Sequence, residues 1–171
     1  MGEYFSRWTQ VKRIVEKDEV LCQRIRESFF ESNSNAGKGT RHVVRRVGAI
    51  SFKDRQLPLV LRFDFTHPEN DLSIKVGISE YGRAFSEGLN PPYVAGVVKF
   101  RDSRSIYFGI LLEDVTECGS YTLSKLRGRM GLASPFEIRS DGRIFFLDPD
   151  DFANTNEEVA QRYFEAGLNL V

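Results

Sequence analysis

The sequence predicts an α+β fold: a mostly antiparallel, Phe-rich sheet of about five to seven strands, flanked by N-terminal and C-terminal helices. Three observations predict it. Apolar residues recur at helical spacing near the start, as Tyr4, Phe5, Trp8, Val11 and Val15, then Leu21, Ile25 and Phe29. Apolar and polar residues then alternate with period two through much of 42–112. Finally, Thr155-Asn156-Glu157-Glu158 is a capping-box pattern, opening a last helix through Val159, Tyr163 and Phe164 to Gly167. Strands grouped between helices, without strict alternation of the two, belong to α+β and not to α/β folds.

Taken in order, 1–31 reads as one or two amphipathic helices broken near Lys17-Asp18, with Asp18 able to cap the second. The small, polar 32–40 segment reads as a flexible loop. Strands are expected over 42–52, 57–65 and 72–79, each with one apolar face; Leu61, Phe63 and Phe65 alternate with Arg62 and Asp64, and Ile74, Val76 and Ile78 with Ser73, Lys75 and Gly77. A long surface connection fits 80–92, rich in Gly, Ser, Asn and Pro. Val94, Gly96, Val98 and Phe100, then Ile106, Phe108, Ile110 and Leu112, flank the polar corner Arg101-Asp102-Ser103-Arg104 and read as the central hairpin. A helix over 120–130 ends at Gly131, and a second hairpin over 136–147 turns at Asp141-Gly142. The whole, 1–171, is one domain: helical 1–31, loop 32–40, sheet 41–115, then helix, hairpin and helix over 116–171.

A chain of 171 residues can bury a core of its own, and its 14 Phe against 1 Trp and 6 Tyr supply much of that volume. No apolar stretch is long enough to cross a bilayer, and no secretory leader opens the chain. Met1-Gly2 followed by Ser6 matches the bare acylation pattern, which a helix lead-in also satisfies. Two cysteines, Cys22 and Cys118, make neither a metal cluster nor a disulfide framework, and the simplest setting is cytoplasmic. Cys118 stands beside Glu117, which disfavours a thiolate, and only two histidines are present, so nucleophilic triads have little support. The net charge of zero hides a polarity: residues 1–62 sum to +6 and 63–171 to −6.

Four segments carry possible chemistry. Ala36-Gly37-Lys38-Gly39-Thr40 looks like a phosphate loop, but Gly39 stands where a Ser or Thr should reach Mg²⁺. The basic run Lys38, Arg41, Arg45, Arg46, Lys53 and Arg55 suits phosphate-backbone contact with counterion release. Charge on both faces of 41–46 also fits an edge strand protected against pairing. Asp64, Glu69 and Asp71, with Lys75 on the next expected strand, are the residue types of a metal-dependent phosphodiesterase, in which carboxylates hold Mg²⁺ and the metal activates water. In residue types this resembles the PD-(D/E)xK nucleases, although Ser73 stands where that family has its second acid. Gly96-Val97-Val98 and Tyr107-Phe108-Gly109, with Arg127 beyond, resemble the GIY-YIG nucleases; that resemblance implies Tyr107 and Arg127 as catalytic residues, with Val98 in the place of the first-strand Tyr.

The expectation is therefore a soluble intracellular binding or accessory protein, not an enzyme, without cofactor. It contacts an anionic partner, nucleic acid foremost, through Lys38, Arg41, Arg45, Arg46, Lys53 and Arg55. A metal-dependent nuclease or phosphodiesterase using Mg²⁺ is the alternative, and a protein-interaction module of inhibitor or chaperone-like kind, binding a protein partner or a second copy, is a third.

Overall fold

A computed structural model describes residues 2–30, 35–38, 42–64, 67–69, 71, 74–75, 77–78, 94–114, 136–138, 144–146, 162 and 164–170. The helical spacing at the start becomes two helices, α1 (Gly2–Glu16) and α2 (Glu19–Ser28). They part where expected. Asp18 has extended backbone, and its Oδ1 accepts a hydrogen bond from the Leu21 N–H at 3.0 Å, satisfying a donor the new helix leaves open. Trp8, Val11, Val15, Leu21, Ile25 and Phe29 form one buried seam. Each fully buried aliphatic there stabilises by about 1.5–3 kcal/mol relative to its exposed state.

Among the described residues, six strands form one mixed sheet: β1 (Asn35–Lys38), β2 (His42–Phe52), β3 (Arg55–Asp64), β4 (Val94–Arg101), β5 (Ile106–Glu113) and β8 (Leu168–Leu170). They lie in the order β1-β2-β3-β5-β4-β8. A separate two-stranded sheet, β6 (Phe136–Ile138) with β7 (Ile144–Phe146), lies within the expected second hairpin. The β2–β3 pair closes through Lys53 and Asp54 at φ 48° and 60°, the positive values a two-residue type I′ turn requires. The β4–β5 pair closes through Asp102, whose Oδ1 accepts the Arg104 and Ser105 N–H groups at 2.7 and 2.8 Å. Both arms of this hairpin are interior strands, because β3 borders β5 and β8 borders β4.

Helices α1 and α2 pack on β4 and β2 respectively. Both seat where the sheet lacks a side chain. Gly96 (φ 146°) follows a register shift in β4, and a Cβ there would lie 2.1 Å from the Trp8 ring. Gly48 (φ 145°) plays the same part in β2 beneath Leu21, again at a register shift. The Trp8 indole Nε1 then donates to Ala166 O at 3.0 Å, joining α1 to the turn before β8. Side chains alternate across a strand, so Phe63, Phe100 and Tyr107, all in contact with Phe29, mark the helix-bearing face. Lys99, Phe108, Ile110 and Arg62 point to the other.

Several expectations are corrected. Residues 35–38 are a strand paired with β2, not a loop; β2 has an open ladder of backbone groups on that side, and β1 pairs with it. Consequently β2 is not an edge. Within 72–79, expected as a strand, the described residues Ile74, Lys75, Gly77 and Ile78 are helical, as is Asp71 before them. They cover the second face: a Cβ on Gly77 would lie 3.0 Å from Ile110 and 3.1 Å from Arg62. β8 pairs in parallel with β4, in register Val98↔Leu168, which no local pattern announces. The expected helix over 120–130, the 80–92 connection, Cys118 and the capping box at Thr155 lie outside the described residues, although Arg162, Phe164 and Glu165 of the last helix are helical. Among the described residues no helix is long and apolar enough to cross a membrane.

Candidate functional site

The basic run does not come together as one stripe. Arg45 and Arg46 are neighbours in β2 and so leave opposite faces of the sheet. Arg45 lies on the helix-bearing face, its Nη1 donating to Ser28 O and its guanidinium 5.2 Å from the Phe63 ring centre. Arg46 pairs with the buried Asp114, Nε to Oδ2, at 3.2 Å. Lys53 and Arg55 are exposed, but at the far turn of the β2–β3 hairpin, where Lys53 Nζ sits over Phe52 at 5.6 Å. Lys38 stands opposite Val43, at the other end of β2. Arg41 is outside the described residues.

The acidic segment is occupied by turn and helix contacts. Asp64 is buried, and its Oδ1 accepts the His67 N–H at 3.1 Å. That turn brings Pro68 O to the Phe108 N–H at 2.9 Å, beyond the last β3–β5 pair. Asp71 and Lys75 form an i,i+4 pair at 3.2 Å on helical backbone, not across strands. Glu69 is exposed, 3.8 Å from His67 Nδ1. Among the described residues no group of three or more His, Cys, Asp or Glu could hold a metal ion. Tyr107 belongs to an aromatic cluster with Phe29, Phe30 and Phe100, and burial, together with a hydrogen bond to Asp102, raises its pKa. Asp102 itself is held below the usual carboxylate range by its two backbone N–H donors. Arg127 is outside the described residues.

The structure adds a site that the sequence reading does not contain. On the second face, beside the β4–β5 corner, lies an open cleft of about 370 Å³. Lys99 and Arg101, two residues apart on β4, line the same side of it. Phe108 and Phe164, stacked with centroids 5.3 Å apart, form its aromatic wall. Ile106 extends the apolar lining, Asn169 presents an amide, and Leu170 closes the β8 end. The lining comes from β4, β5, the last helical turn and β8, and Trp8 secures that turn from the opposite element. The β4–β8 register places Lys99 beside Asn169.

Charge in this cleft is concentrated and only partly offset. The ammonium groups of Lys99 and Lys75 lie 4.4 and 4.5 Å from the centre of the one Phe164 ring. Burial lowers the pKa of Lys99; Glu165 opposes that shift, while Lys75 and Lys12 add to it. Among the described residues no salt bridge engages Lys99 or Arg101. Two cations beside aromatic and apolar walls can hold an anion that also carries a flat apolar part. A faint signal existed in the sequence: Lys99 and Arg101 share one strand face at a hairpin corner. Their partners Phe164 and Asn169 are more than sixty residues away. No protein-family model, no curated protein and no solved structure matches the chain.

Proposed function

We propose that this chain is a non-catalytic binding protein for an anionic partner, nucleic acid foremost, held at the sheet end that carries Lys99, Arg101 and Arg104. The observation that carries the reading is the placement of Lys99 and Arg101 together on the rim of an aromatic cleft. Arg104 is exposed at the same corner. Lys38 belongs to this end of the sheet by register, about 19 Å away across four strand spacings. The positive balance of residues 1–62 raises the local concentration of a polyanion. Arg45 and Arg46, each engaged within the fold, contribute to the sheet before they contribute to a partner. A cytoplasmic setting belongs to the same reading, since neither cysteine calls for an oxidising compartment.

The test is fluorescence anisotropy of a labelled single-stranded oligonucleotide at low and moderate salt. Affinity is expected to fall with salt, and the log–log slope to shrink by about one for each phosphate contact removed by Lys99→Met or Arg101→Ala. Lys53→Ala with Arg55→Ala, at the far hairpin turn, is expected to change affinity less. No binding at low salt, or a larger loss in the Lys53 and Arg55 pair, defeats the proposal.

A further inference from the structure

We infer that the cleft takes one nucleotide unit, a planar ring carrying a phosphate, either as a free mononucleotide or as an unstacked nucleotide of a single strand. The inference rests on the anion-binding reading above and specifies its ligand. Size comes first. At about 370 Å³ the cleft is near the small end of ligand pockets, which run from roughly 300 to 1,000 Å³, so it suits one ring system with one charged group. Chemistry divides it in two. Lys99 and Arg101 form the cationic part, and the fixed fork of Arg101 can take two phosphate oxygens while Lys99 meets a third. Phe108, Phe164 and Ile106 form the apolar part, where a base can lie against aromatic and aliphatic surface. Asn169, exposed and beside Lys99 in register, offers one donor and one acceptor to a base edge.

Neither half explains the site alone. A bare inorganic anion would leave the apolar wall unused, and a purely apolar ligand would desolvate two cations without a partner. The Lys99 ammonium, 4.4 Å from the centre of the Phe164 ring, stands where the cationic and aromatic parts of the cleft meet.

Isothermal titration of the full chain with adenosine 5′-monophosphate, inorganic phosphate and single-stranded oligothymidylate tests this. One-to-one binding of the mononucleotide, with phosphate at least about tenfold weaker, is the expected result. Lys99→Met, Arg101→Ala and Asn169→Ala are each expected to weaken the mononucleotide, with Arg24→Ala on α2 as an unchanged control and melting curves confirming that each variant is folded. If the oligonucleotide competes with the mononucleotide, the natural source is a strand; if it does not bind, the source is the free nucleotide. Phosphate binding as tightly as the mononucleotide overturns the nucleotide assignment and leaves the anion-binding reading standing. Oligonucleotide binding that the mononucleotide cannot displace and that survives Lys99→Met also overturns it. No binding by any of the three probes overturns both.

Discussion

Gly96 and Lys99, three residues apart on β4, show how one strand serves the core and the cleft. Gly96 has a positive φ and lies against the Trp8 ring, so any side chain there meets both backbone strain and a ring that is fully buried. Gly96→Ala is expected to destabilise by about 3 kcal/mol or more, read as a lower urea midpoint at unchanged m-value. Lys99 behaves in the opposite sense. Its folded pKa is lowered chiefly by burial, so the folded state holds the ammonium form less readily than the unfolded chain does. The penalty is present in full below the folded pKa. It is relieved as pH rises through that value towards the unfolded one. Lys99→Met is therefore expected to raise Tm at neutral pH, with the gain shrinking in alkali, while anion binding is lost. A Tm that falls at neutral pH would show that the ammonium contributes to the fold and not to a site. Cys22 is the contrasting buried group: its Sγ donates to Val15 O at 3.2 Å, and burial pushes the thiol pKa up, so it behaves as core.

Among the elements, the ones legible in the sequence are those whose period admits one reading. In β2 and β3, where long alternating runs meet at Lys53-Asp54, and in the β4–β5 hairpin, apolar side chains two apart can share a face only in a strand. The stretch from Asp71 to Ile78 is ambiguous for a physical reason. Ile74 and Ile78 are both two-period and four-apart partners, and both are buried. The Asp71–Lys75 pair has the acid N-terminal to the base, the orientation that favours helix, and helical backbone is what the described residues adopt. β1 and β8 were hidden because each owes its conformation to a neighbour distant in sequence, not to its own composition. The turn at Lys53-Asp54 carries residues that tolerate positive φ poorly compared with Asn and Gly. Lys53→Asn with Asp54→Gly is expected to stabilise by about 1 kcal/mol, read by chemical denaturation, without altering anion affinity. A loss of affinity in that variant would move the contact to the far hairpin turn.

At the scale of the whole molecule, a sheet covered on both faces leaves its ends and corners for recognition. Helices α1 and α2 take one face, and the helical residues near Ile74 and Phe164 take the other. Among the described residues, the cleft lies on that second face beside the β4–β5 corner. Its composition was not legible in the sequence because it is assembled from β4, β5 and the segment leading into β8, which the parallel β4–β8 pairing and the Phe108–Phe164 stack bring beside the hairpin. The basic run from Lys38 to Arg55 was legible as charge but not as a surface, since strand alternation and the hairpin divide it between two faces and two ends. The most direct measurement of the central claim is amide and side-chain NMR shift mapping of the full chain with a single-stranded oligonucleotide. Anion recognition at this corner predicts shifts centred on Lys99, Arg101, Arg104, Ile106, Phe108, Phe164 and Asn169 and suppressed by salt; shifts centred on Lys53 to Gln56, or none at low salt, would contradict it.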